Sequence, residues 1–316
     1  MKKINISPKA FLSLLALMLF WPALFGIYYL GYSLYCSMDQ TRFPKVSEQV
    51  TMLVKEAGDN PDEKTKGAIL LSSIHARLDQ EMDSSFGWSV NDLFFMPTRY
   101  LDNRNNRQKG VIFGARMLLR FYSLNMAKLG AADPENEYLK ECREKRLVYG
   151  EDIWGFFRAS SEGEYKKAVS LMDKYAAELK SGKGVFNCRT DDIYNVLMFI
   201  ISEECLGQPM GLLIQTNDEV DYFDLDDRIY YSQGVVMVVR DFLYALVALY
   251  PEITEKGGSE NIKVAFREMD RICDFDPLLV LRGDHDSLLA DHRGKMARYL
   301  ITVQKRIADL AQSVRR

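Results

Sequence analysis

The chain has 316 residues, 47% of them hydrophobic and 27% charged, with a formal net charge of −3. That composition excludes a disordered or fibrous chain and fits a globular protein. Basic and acidic residues alternate, which excludes the concentrated basic face of a nucleic-acid binder, so no nucleic-acid partner is expected.

Residues 1–9 carry Lys2, Lys3 and Lys9, and no charged residue follows from Ala10 through Met38. A bilayer core needs roughly 20 apolar residues, so residues 10–36 are predicted to be a transmembrane signal-anchor helix with the lipid bilayer as partner. Trp21, Tyr28, Tyr29, Tyr32 and Tyr35 suit the interfacial zones, and Pro22 predicts a tolerated kink. The competing reading is a cleaved signal peptide, whose apolar core would run about 7–15 residues and end at small residues. The run is longer than that, and no small residue immediately precedes Cys36. The positive-inside rule keeps residues 1–9 in the cytoplasm and exports the rest, which in a Gram-negative bacterium means an inner-membrane protein with a periplasmic domain.

About 270 residues remain beyond the anchor, enough for one large or two small domains. Residues 37–60 read as a linker or first helix, and 61–316 as a soluble helical domain. No later segment is expected to span a membrane: Ile193–Ile201 is too short, and Ile229–Tyr250 is interrupted by Gln233, Arg240 and Asp241. Helical periodicity dominates, in the stripe Leu71, Ile74, Leu78, Met82 and in the stripe Tyr165, Ala168, Met172, Tyr175, Leu179. A third stripe runs Leu288, His292, Met296, Leu300, Val303, Ile307 and Leu310.

Helix boundaries are marked as well. Asp133-Pro134 reads as a start by the proline-at-N1 rule. Ser160 or Ser161 with Glu164 reads as a capping box. Thr190 or Asp191 is expected to cap a helix running to Cys205 and closed by Gly207 and Pro209, and Asp226 or Asp227 a helix ending at Pro251. Lys256-Gly257-Gly258-Ser259 is a turn. The one strand candidate is Gly211–Thr216, as a short strand or an extended loop. The fold class is mainly α, a multi-helix domain with little or no β structure.

The chemistry-bearing patterns are sparse. None of the five cysteines forms a C-x-x-C pair, and one helix should hold Cys188 and Cys205 roughly 25 Å apart. Free thiols or one disulfide are both open. His75, His285 and His292 are the only histidines and show no H-E-x-x-H pairing, so no metal ligand is assigned, and His292 reads as a core residue. Ser181-Gly182-Lys183-Gly184 lacks the phosphate-loop spacing and reads as a turn. Asp218, Glu219, Asp221, Asp224, Asp226 and Asp227 form a dense acidic loop without the EF-hand spacing, a solvated loop or an adventitious calcium site. No cofactor is expected.

Gly87-Trp88-Ser89-Val90-Asn91-Asp92, Pro97 and Leu101-Asp102-Asn103-Arg104-Asn105-Asn106-Arg107-Gln108 crowd aromatic and amide groups between two helices. Such groups either satisfy backbone at helix ends or wall a polar cleft. The candidate binding cleft is Trp88, Asn91, Asp92, Asp102 and Asn103, joined by Arg189 and Asp191.

The series Trp88, Asn91-Asp92, Pro97, Leu101-Asp102-Asn103 and Gln108-Lys109-Gly110 resembles a bacterial family known as domain of unknown function 2333. Trp154 with Ser160 and Tyr165, Phe186 with Arg189-Thr190-Asp191, Asp227 with Tyr230 through Gly234, Gly283 and Asp291-His292 continue the likeness. The resemblance implies inner-membrane-anchored proteins of Gram-negative bacteria with no assigned activity, cofactor or catalytic residue. The expected function is therefore a non-enzymatic, membrane-tethered binding or scaffold component of the cell envelope with an envelope protein as partner. The alternative is an envelope hydrolase acting on peptidoglycan, polysaccharide or lipid through paired carboxylates.

Overall fold

The computed structural model describes residues 7–40, 43–84, 86–94, 96–130, 132–215, 221, 224–277, 279–283 and 288–315. Among the described residues there are twelve α-helices, and the only β pairing is an isolated bridge between Arg282 and Asp291. The mainly α expectation holds.

The uncharged run forms α1 (Pro8–Gln40), with Pro22 inside it. No residue of its apolar stretch Ser13–Tyr32 is buried, so apolar side chains that could be hidden in a core are presented outward instead. A second helix, α9 (Leu225–Leu249), is also long and apolar enough to cross a membrane, but it lies mostly buried within the body. Its Gln233 explains how a polar residue fits there: the side-chain amide donates to the carbonyls of Ile272, Cys273 and Phe275 at 2.8–3.0 Å.

Around α9 pack α2 (Val46–Ala57), α3 (Glu63–Asp83), α4 (Asp102–Phe121), α8 (Gly207–Ile214) and α11 (Ser259–Cys273). The segment read as linker or first helix thus belongs to the body from Val46 on, where Val46 and Val50 are buried. A second layer is built on α12 (His292–Val314), against α7 (Thr190–Ile201), α8, α10 (Glu252–Gly257) and α11. On the other side α6 (Ser161–Lys180) packs on α3 and on the short α5 (Glu137–Glu141).

The closest seam joins α4 to α9. Gly110 and Gly114 on α4 face Tyr231, Gly234, Val235 and Val238 on α9, so numbers rise together and the two helices run parallel. Their approach leaves no room for side chains: a Cβ on Gly110 would lie 2.0 Å from the Tyr231 carbonyl oxygen, and one on Gly234 2.0 Å from that of Arg107. Past Phe121 the chain makes a π-helical turn, Tyr122–Met126, that sets Tyr122 against Phe186 with ring centres 5.4 Å apart.

Several local expectations are corrected. The strand or loop expected from Gly211 is instead the end of a helix, Gly207–Ile214, because Leu206, Met210 and Leu213 recur at helical spacing and are buried together; Thr216 lies outside the described residues. Pro209 opens that helix rather than closing the previous one; as its third residue it forfeits no intrahelical bond. Accordingly α7 stops at Ile201 instead of Cys205, and its cap is Asp192, whose Oδ2 accepts from the Arg189 amide at 2.9 Å. Asp133 closes a turn by accepting from the Leu129 and Gly130 amides, and the helix starts later, capped by Asn136. Ser160 caps α6 as expected, but Glu164 turns away to Arg146 and Lys167. On α12 the buried stripe begins at Met296. Leu288 is exposed, and His292, the first helical residue, is half-buried, its Nδ1 accepting from the Leu281 amide at 3.0 Å. Cys142, Cys188, Cys205 and Cys273 are free thiols. His285, Asp218 and Glu219 lie outside the described residues.

Candidate functional site

The segment between α3 and α4 is held by the polar residues that open α4. Arg104 donates to the Gly87 carbonyl (2.9 Å) and Gln108 to the same oxygen (3.0 Å). Ser89 donates to Asn105 Oδ1 (2.6 Å), and its amide donates to Gln108 Oε1 (3.1 Å). Asn105 Nδ2 donates to the Arg99 carbonyl (3.0 Å). The crowd of amides therefore satisfies the backbone of an irregular buried segment, where each unmet group would cost about 1–3 kcal/mol.

Trp88 and Asn91 tie this segment to a second one. Trp88 is 1% exposed, stacks edge-on to Tyr165 at 4.9 Å, and donates Nε1–H to the Glu151 carbonyl at 2.8 Å. Asn91, also buried, donates to the Ile153 carbonyl at 3.0 Å. Both are joints between two surface segments. Asp92 accepts from Thr98 and faces a cleft of about 450 Å³ shared with Tyr32 of α1, Met96, Glu162 and Lys166; burial raises its carboxyl above the ordinary range, against the Thr98 hydrogen bond.

The same segment meets α1. Tyr29 donates its hydroxyl to the Tyr100 carbonyl at 2.8 Å, and Phe25 lies edge-on to Tyr100 at 5.8 Å. Phe86 receives Tyr32 at 4.5 Å and Tyr35 at 5.1 Å. Beside this junction, on the two segments that Trp88 and Asn91 join, stand exposed aromatics: Phe94 is 77% exposed, Phe156 66% and Phe157 94%. The Trp154-Gly155-Phe156-Phe157 run is apolar in the sequence but has no periodicity that would give it a place.

Asp102 and Asn103 are exposed at the start of α4. Asp102 meets Asp226 and Asp227 of α9, one carboxylate oxygen from each lying within 4.8 Å of the others. Asn106 Nδ2 donates to Asp227 Oδ1 (2.6 Å) and Asp102 Oδ1 (3.1 Å), and Lys109 donates to Asn106 Oδ1 (3.2 Å). Burial first, then the hydrogen bond and charge of Asp102, push the Asp227 carboxyl up to about 7. The cluster therefore keeps a proton well above the ordinary carboxylate range, which relieves repulsion as a cation would. The residue before α9, Asp224, makes no side-chain cap, and it is Asp226 whose carboxylate meets the first-turn amides of Asp226 and Asp227.

Arg189 and Asp191 are exposed and lie elsewhere. Phe186, three residues before Arg189, packs on Tyr122 just past the far end of α4, and a 20-residue helix is about 30 Å long. The structure thus brings Trp88, Asn91 and Asp92 to one junction, leaves Asp102 and Asn103 at the α4–α9 start, and sets Arg189 and Asp191 at the opposite end.

Fold and junction together define an all-helical body joined to an exposed apolar N-terminal helix. Residues 16–213 match the family described as an uncharacterised protein conserved in bacteria, DUF2333, and the chain belongs to that family. The match ends inside α8, so Asp227–Gly234, Gly283 and Asp291-His292 of the likeness lie beyond it. No curated protein and no solved structure matches the chain.

Proposed function

We propose that this is a single-pass protein of the bacterial inner membrane, with residues 1–9 cytoplasmic, residues 10–36 in the bilayer and the helical body periplasmic, acting as a binding or scaffold component of the cell envelope. The observation that carries this reading is the junction at the end of the apolar stretch Ser13–Tyr32. There Tyr29 and Tyr32 contact Tyr100 and Phe86, and exposed Phe94, Phe156 and Phe157 stand on the adjoining segments. Aromatic rings favour the headgroup zone, so the body rests against the bilayer beside its anchor and turns its remaining surface to an envelope protein. The test is a carbonate wash of membranes with an alkaline phosphatase fused after Arg316. Retention in the pellet with an active fusion is expected; release of the native protein, or an inactive fusion, refutes the topology.

A second reading, an envelope hydrolase, is supported by the raised carboxyl of Asp227 beside Asp102. Against it, Asn106 bridges both carboxylates in the space a substrate would need. Asp227→Asn should leave complementation of a deletion strain intact, and loss of complementation without a fall in melting temperature would favour the hydrolase.

A further inference from the structure

The loop between Ile153 and Ser161 holds aromatic rings outside the body on a braced frame. Its base is closed twice, by the Ile153 amide donating to Ser161 Oγ at 2.9 Å and by the Ser161 amide donating to the Ile153 carbonyl at 3.0 Å. Tyr149 donates its hydroxyl to the Ala159 carbonyl at 2.8 Å and steadies the returning limb. Gly155 sits so close to Ser160 that a Cβ there would lie 2.8 Å from the serine Cβ and 2.9 Å from its amide nitrogen. Within this frame Trp154 and Phe156 stack at 5.4 Å, and Phe157 meets Phe156 edge-on at 4.3 Å. The rings pack on one another while Phe157 stays 94% exposed, so apolar surface is gathered without being covered.

The contact of the body with α1 places this loop. Trp154 follows Ile153, whose carbonyl Asn91 holds at 3.0 Å, and Phe94 follows closely on Asn91 in the other segment. Tyr100 donates its hydroxyl to the Phe94 carbonyl at 2.6 Å, and Tyr100 is the residue that Phe25 and Tyr29 of α1 contact. At a helical rise of roughly 1.5 Å per residue, Phe25 stands about 10 Å before the end of the apolar stretch Ser13–Tyr32. With that stretch across the bilayer, Phe94 and Tyr100 lie below the level at which the chain leaves it. A body drawn in to that depth brings the loop tied at Asn91 to the same surface.

The charge pattern agrees. Residues 93–101 and 153–160 each hold one charged residue, Arg99 and Arg158, and no carboxylate. The carboxylates that flank them in the chain, Asp92, Asp102, Asp152 and Glu162, stand outside both runs. A carboxylate would resist entry into an apolar layer, whereas an arginine keeps its stem with the rings and its guanidinium in the wet zone.

We propose that Phe94, Trp154, Phe156 and Phe157 form a second membrane contact, a wedge that enters the boundary between headgroups and acyl chains in the leaflet through which α1 leaves. Its ligand is the lipid surface itself, with no requirement for a particular headgroup. This contact rests on the bilayer reading above and adds to it a second point of attachment, which fixes the tilt of the body.

The experiment reads tryptophan emission of the full chain in phosphatidylcholine nanodiscs. The lipid is plain, or brominated near the headgroup end of its acyl chains, or brominated near their tips. The three tryptophans report separately: Trp88 is enclosed in the body, Trp21→Phe leaves Trp154 as the accessible ring, and Trp154→Phe leaves Trp21. A ring about 5–10 Å into the surface is quenched most by the shallow bromines and is sheltered from iodide in the water. That is the result expected of Trp154, whereas Trp21, midway along the apolar stretch, should respond most to the deep bromines. Replacing the two exposed rings together, Phe156→Ser with Phe157→Ser, should abolish the Trp154 quenching and leave the melting temperature unchanged. Quenching that survives both substitutions overturns the wedge, as does Trp154 open to iodide and untouched by bromine. Trp154 sheltered from both quenchers overturns it too, and places a second copy of the chain over the loop. Trp21 quenched with Trp154 untouched leaves the anchor reading standing and removes the wedge; Trp154 quenched with Trp21 untouched does the reverse.

Discussion

Replacing Gly110 by alanine tests the parallel seam at its narrowest point. The new methyl would start 2.0 Å from the Tyr231 carbonyl oxygen, 2.9 Å from its carbon and 3.1 Å from Gly234 Cα, all backbone atoms. Ordinary contact begins at 3.4 Å, so α4 and α9 must part by 3.4 − 2.0 = 1.4 Å along that line. A gap of 0.5–1 Å already forfeits a quarter to a half of each dispersion contact, and overpacking of this kind costs about 3 kcal/mol at the upper end of its range. Alanine recovers roughly 1 kcal/mol through helix propensity, leaving a net loss of about 2 kcal/mol. That corresponds to a fall of roughly 3–4 °C in melting temperature for a body of this size. Gly211 on α8 is the matched control: nothing lies within 4 Å of its Cβ position, so Gly211→Ala should gain about 0.5–1 kcal/mol. Scanning fluorimetry of the detergent-solubilised chain measures both. Equal melting temperatures for the two variants would refute the packing argument.

Three further outcomes follow from the same structure. Asp227 holds its proton to about pH 7 in the folded state but titrates near 3.8 unfolded, so its contribution to stability is present at low pH and declines as pH rises from about 4 to 7; Asp227→Asn should remove that decline and melt higher than wild type at pH 8, by about 1 kcal/mol after discounting for its partial exposure, and a constant difference between wild type and variant from pH 4 to 8 would contradict it. Leu300, fully buried on α12, should not tolerate aspartate, at a cost of several kcal/mol, whereas Lys305→Asp on the exposed face should cost less than about 0.5 kcal/mol; equal melting of the two would mean the face is misassigned. Asn91→Ala removes the tie from its segment to the Ile153 carbonyl, which keeps the Ser161 amide as a donor, and should lower stability by about 1 kcal/mol, and an unchanged melting curve would instead point to a surface used by a partner.

What was legible in the sequence is what local pattern carries. The apolar run of α1 and the stripes of α6 and α12 are each written within one stretch of chain, and each became a helix. Boundaries were harder because a cap depends on where the chain enters: Asp192 and Asn136 cap, while the equally suitable Asp191 and Asp133 do not. Gly211–Thr216 misled because a short apolar run has no period of its own to separate strand from helix. The candidate cleft does not gather in one place, because Arg189 and Asp191 follow Phe186 to the far end of α4 and no local pattern records which end of a helix a distant segment reaches. The Asp102–Asp226–Asp227 cluster joins residues more than a hundred positions apart, and no spacing rule reaches that far.

The parallel pairing of α4 with α9 also has a kinetic side. Residues 122–224 lie between the two helices, so α4 leaves the ribosome well before its nearest neighbour exists. At roughly 5–20 residues per second, about 5–20 s separate them. During that interval the glycine face of α4 and the apolar surface that α9 will cover are open to wrong partners, including a neighbouring copy. Chain order thus makes the last third of the protein the step that closes the body, and truncation within α8 would leave α4 permanently without its partner.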